Sequence, residues 1–142
     1  TALIGGALLA IATASGCSYK NDEYCFNFDS YINGERIDAR EYGSGDKYNL
    51  KVWRPNEFIE YTDNNDDFVV DEIFTLNKIE ALNFLGGSKW QMSKYKADKP
   101  EDKEVMERKQ DEFRRYLNSI IYNKFALNPE ASKYCEGRLT QK

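Results

Sequence analysis

At 142 residues, with a formal net charge of −4 and no histidine, the chain has the length of one domain. The acidic balance argues against a nucleic-acid binder, which asks for a basic patch, and against broad electrostatic adhesion to anionic lipid. The missing histidine excludes Ser–His–Asp and Cys–His catalysis and removes the commonest nitrogen ligand of zinc. Aromatic residues make up 14% of the chain, with ten Tyr and eight Phe. A tyrosine ring packs while its hydroxyl stays wet, which suits a small core or a binding surface.

The first stretch, Thr1 to Ser18 (TALIGGALLAIATASGCS), is apolar or small throughout and uncharged. Sixteen helical residues reach about 24 Å, short of a hydrocarbon core of about 30 Å. An apolar run followed by small residues is the pattern of a signal-peptide core. Ala14, Ser15 and Gly16 stand directly before Cys17, and at this point the stretch resembles a bacterial lipoprotein signal. The resemblance implies cleavage between Gly16 and Cys17, lipid on Cys17, and a domain held at the membrane and facing the periplasm. Ser18 after the lipidated cysteine is compatible with the outer membrane. The same small residues also suit an uncleaved transmembrane helix packed against a neighbour, or a buried helix. Residues 1–17 are thus read as signal or anchor, 18–24 as a polar tether, and 25–142 as one soluble α+β domain.

Three cysteines are an odd number. If Cys17 carries lipid, Cys25 and Cys135 are free to pair in an oxidising compartment, closing a loop of over a hundred residues. In a reducing compartment the two would instead be inert buried thiols.

Along the domain, Tyr24 to Ile32 alternates Phe26 and Phe28 with polar neighbours and predicts a strand. Asn33-Gly34 is a hairpin-turn signal, and Arg36 to Tyr42 a candidate return strand. Residues 43–46 read as a loop. Tyr48 to Trp53 alternates cleanly, Pro55-Asn56 breaks it, and Phe58 to Tyr61 predicts another short strand. Thr62 to Asp67 is an acidic turn. Phe68 to Leu76 is β-branched and aromatic and predicts a strand. Asn77 to Leu85 places Ile79, Leu82 and Leu85 on one helical face, with Gly86-Gly87 as a helix stop. Lys89 to Tyr95 alternates again. From Pro100, a good first-turn residue, apolar residues from Val105 to Phe125 recur at helical spacing. Pro129 ends a helix of about 26 residues, roughly 39 Å. Its first half is poor in apolar residues and is a candidate docking surface. Ala131 to Lys142 reads as a polar tail that Cys135 pins down. The expected architecture is an antiparallel sheet of four or five strands with the long C-terminal helix packed on one face.

Asp63, Asn65 and Asp67 occupy the first three ligand positions of a calcium loop. The sixth position holds Phe68 instead of Gly and the twelfth Phe74 instead of Glu, so a hydrated turn is expected and no metal. Gly86-Gly87-Ser88-Lys89 lacks the spacing of a phosphate loop. No cofactor and no catalytic residue is expected. The functional expectation is a lipid-anchored, non-enzymatic envelope protein that binds or inhibits a protein partner. An accessory subunit held by an uncleaved helix is the alternative, and a carboxylate-based hydrolase a third.

Overall fold

The computed structural model describes residues 25–42, 46–79 and 88–140. The expectations for the leader, the tether, Cys17, most of the predicted 77–85 helix and its glycine stop lie outside these residues. Six strands form one antiparallel meander in sequence order: β1 (Phe28–Ile32), β2 (Glu35–Tyr42), β3 (Lys47–Arg54), β4 (Glu57–Asp63), β5 (Glu72–Ile79) and β6 (Lys89–Lys96). A 3-10 turn at Pro100–Asp102 leads into α1 (Lys103–Phe125), and α2 (Pro129–Thr140) follows. The class is α+β with a C-terminal helix, as expected. The sheet has six strands where four or five were expected. No described helix is long and apolar enough to cross a membrane.

The alternation read from the sequence sets which face each residue takes. Ala39, Leu50, Tyr61 and Ile73 are register partners across β2–β5, and Ala39, Leu50 and Tyr61 are fully buried. Ile37, Val52 and Ile59 form the next buried row. Into this face α1 inserts Phe113, Leu117, Ile120 and Ile121, spaced at three and four residues so that one stripe is apolar. Phe113 packs edge-on against Tyr48 and at a tilt against Tyr61, with ring centroids 6.1 and 5.6 Å apart. Asn33 (φ 51°) and Gly34 (φ 83°) both take the left-handed conformation, as a two-residue hairpin turn of the primed type requires.

Three further expectations are corrected. The first strand starts at Phe28, because Cys25 and Phe26 are helical and buried, Phe26 against Phe68 at 4.7 Å. The predicted 68–76 strand begins only at Glu72. Phe68 has φ 63°, and its ring turns into the core beside Phe26 and Tyr48 instead of pairing. Asn77, Lys78 and Ile79 are not helical. They complete β5 opposite Gln91, Trp90 and Lys89, since a partner strand satisfies their backbone and overrides a weak helical period.

The polar tail is also a helix. Pro129 opens α2, and the Asn128 side chain accepts the Ala131 N–H at 3.3 Å, a capping contact. Ala131, Cys135 and Leu139 repeat every four residues and are the buried positions. The helix therefore rests on a three-residue apolar stripe and on the bond from Cys135 to Cys25.

Candidate functional site

Cys25 and Cys135 lie at bonding distance, with Cα atoms 5.5 Å apart and both residues fully buried. The start of the domain is thereby tied to α2.

The acidic turn is organised around Asp63. Its Oδ1 accepts the N–H groups of Asn65 and Asp67, at 3.2 and 3.3 Å, and its Oδ2 that of Phe68 at 2.7 Å. These contacts hold Asp66 (φ 53°) and Phe68 in the left-handed region at a conformational cost. Gln110 of α1 clamps the loop from the other side, accepting the Val70 N–H at 2.7 Å and donating to the Phe68 carbonyl at 2.9 Å. Carboxylate oxygens of Asp63, Asp67 and Asp71 come within 4.8 Å of one another. This trio drops Asn65 and adds Asp71, a residue that the sequence pattern did not single out. Both oxygens of Asp63 already serve backbone donors, which is the work of a turn. Burial pushes the Asp63 carboxyl up to about 6, against the opposing pull of those three N–H groups.

A second polar cluster lies between the sheet and α1. Arg54 bonds Glu35, Tyr116 and, at 2.5 Å, Glu57. The Tyr61 hydroxyl donates to Glu112, which also takes Lys109 at 3.3 Å. Burial raises the Tyr61 hydroxyl far above its ordinary value and pushes Tyr116 up to about 12. Burial alone would also raise Glu112, but the Tyr61 hydroxyl and the Lys109 ammonium outweigh it and hold its carboxyl below the ordinary value. Each carboxylate in the cluster has a donor, so the arrangement fixes the helix on the sheet.

The face of the sheet turned away from α1 is different. Register places Tyr31, Arg36, Trp53, Phe58, Leu76 and Met92 in one row across all six strands. Five strand spacings make that row about 24 Å long. Lys78 and Trp90 extend it at the β5–β6 end. Tyr31 is 65% exposed, Met92 64%, Trp90 48% and Trp53 40%. The rings form a packed strip, with Trp53 5.3 Å from Phe58 and Phe58 6.2 Å from Phe74. The Arg36 guanidinium lies over the Trp53 ring at 5.6 Å, a cation–π contact that keeps the indole in place.

Charge is segregated along with the rings. Register assigns Arg36, Arg40, Lys47, Lys51, Lys78, Lys94 and Lys96 to this face, against Asp29, Asp38, Glu60 and Glu72. Seven positive and four negative side chains leave it at +3, in a chain whose total is −4. Asp29 and Asp38 are taken up by Arg36 and Arg40, and Glu72 pairs Lys96 at 3.8 Å. Lys47, Lys51, Lys78 and Lys94 have no ion-pair partner among the described residues. A pocket of about 340 Å³ opens between Lys47 and Lys94, with Phe74 and Glu60 in its wall.

Sequence reasoning assigned no residue of this face to a site. The signal was present in the alternation of Tyr48 to Trp53 and of Lys89 to Tyr95, whose second faces are not uniformly polar: they carry Trp53, Trp90 and Met92. No protein-family model, curated protein or solved structure matches the chain.

Proposed function

We propose that this chain is a non-enzymatic protein-binding module of the cell envelope, held by lipid on Cys17, facing the periplasm, and binding its partner through the outer face of the sheet. The observation that carries the binding reading is the strip from Tyr31 to Met92, in which Tyr31, Trp53 and Met92 are exposed and Arg36, Phe58 and Leu76 half-buried between them. Large aromatic residues, Met and Arg are the types enriched in protein interfaces, and clustered aromatic and Arg side chains are the usual energetic anchors. A contiguous strip of this kind is uncommon on a free surface. The buried Cys25–Cys135 pair supports an oxidising compartment, and Cys17 after its apolar run supports the anchor. The chain enters the described domain at Cys25, and β1 runs from Phe28 to Ile32. The aromatic row therefore lies toward the end of the sheet away from Cys25, a geometry suited to a partner beyond the anchoring membrane.

A photoreactive amino acid at Met92 in the native envelope tests the binding surface, with Asn118 on the exposed side of α1 as control. Adducts from Met92 and none from Asn118 are expected, and the reverse would discard the face. Intact mass of the membrane-extracted protein tests the anchor. Loss of residues 1–16 with acyl chains on Cys17 is expected, and a free Cys17 in a longer chain would rule the lipid anchor out.

A further inference from the structure

We infer that the partner is engaged as an extended acidic segment that lies along the edge of β6, unpaired among the described residues, and adds a seventh strand to the sheet. This rests on the outer-face reading above and specifies its occupant. The sheet has two edges. β1 is a five-residue strand whose Asp29 holds Arg36 and Arg40 across its outer face. β6 is eight residues long. Among the described residues, no backbone hydrogen bond reaches Lys89 to Tyr95 from outside β5. An edge strand of this length presents a row of backbone donors and acceptors that an incoming strand satisfies.

The side chains of β6 select which strand that is. Its sequence, KWQMSKYK, has three lysines and no acid. Lys89 and Lys94 have no ion-pair partner among the described residues. Lysine on an edge ordinarily guards against self-pairing, and β6 of a second copy would bring further lysines to the same edge. Like charges directly opposite one another destabilise a pair of strands, whereas opposite charges stabilise it. The lysines that reject a second copy therefore accept an acidic strand. Trp90, Met92 and Lys94 alternate onto the outer face. An incoming strand, in either direction, sets residues two apart beside Met92 and Lys94. The segment recognised is apolar–x–acidic or its reverse, its apolar side chain continuing the strip from Leu76 and Met92.

The test is selection of a random-peptide library on the full chain in detergent, followed by amide hydrogen exchange of the complex. Expected are peptides in which an acid and an apolar residue stand two apart, with slowed exchange at β6 amides. Lys94→Glu should weaken the selected peptide several-fold, up to about tenfold, as reversal of one cross-strand pair implies. Lys103→Glu, the same charge change on a helix, should leave binding unchanged and show that the fold tolerates it. Selected peptides without acidic bias, no selected peptide, or protection elsewhere than β6 would overturn the inference. So would a concentration-dependent dimer with protected β6 amides, or binding to phosphatidylglycerol vesicles in place of peptides. Peptides that are lost with Trp53→Ala but leave β6 exchange unslowed would overturn strand addition alone and leave the outer-face reading standing.

Discussion

Asp63 shows how one side chain can set a local conformation. Its carboxylate accepts three backbone N–H groups and so holds Phe68 at a positive φ with its ring in the core. The unfolded chain protonates this carboxyl near 3.8 and the folded chain at about 6. Between those values the folded state binds the extra proton. The contribution of Asp63 is thus fully present below about pH 4 and is lost as pH rises through about 6. Subtracting the urea-unfolding free energies of Asp63→Asn from those of the natural chain, at several pH values from about 4 to 7, should reveal that downward slope. A difference that is flat with pH would show that Asp63 titrates alike in both states. The acidity of this turn is legible in the sequence. Its conformation is not, because Phe68 reads locally as a β residue and only the core formed by Phe26, Tyr48 and Phe113 makes burying its ring worth a strained backbone.

The long helix was the most legible of the elements. Its apolar stripe keeps one period from Phe113 to Phe125, and Pro100 and Pro129 bracket the helical stretch. Phe113 is its central contact, fully buried between Tyr48 and Tyr61. Phe113→Ala should cost about 3–5 kcal/mol in chemical denaturation, whereas Asn118→Ala on the solvent side should change stability by less than about 0.5 kcal/mol. Comparable losses from both would contradict the packing described. Elements with short or competing patterns were read less well. Ile79 fits a helical face with Leu82 and Leu85 and equally fits the end of a strand. The choice falls to β6, which lies ten residues further along the chain and provides the ladder. α2 was missed because three apolar residues in a polar segment are a weak signal until Cys135 is joined to Cys25.

Across the whole molecule, the cysteine pair and the charge distribution matter most. The Cys25–Cys135 bond spans 110 residues, a loop for which the chain-entropy model gives about 4.7 kcal/mol and for which measured losses run about 2–5 kcal/mol. Cys25→Ala with Cys135→Ala should lower the thermal midpoint clearly, and a reductant should reproduce the shift in the natural chain and not in the double variant. An unchanged midpoint in both would mean that α2 holds the N-terminal turn without the bond. The net charge of −4 misled in one respect. It argues against an electropositive surface, yet the outer face is +3 and all remaining residues together are −7. A sum over the chain contains no information about which side each charge faces.

The sequence by itself determined whatever depends on neighbours within a few positions: the Asn33-Gly34 turn, the alternation of β3 and β6, the period and limits of α1, and the α+β class. These follow from φ preferences and from side-chain periods of 2 and 3.6, which act over one or two turns of chain. Only the tertiary structure decided the sixth strand's partner and the end of β5, the inward turn of Phe68, and the alignment of six side chains from six strands into one strip on the outer face. Each depends on strand register, and register is set by pairing between distant segments. A one-residue slip would exchange the two faces without altering a single local propensity.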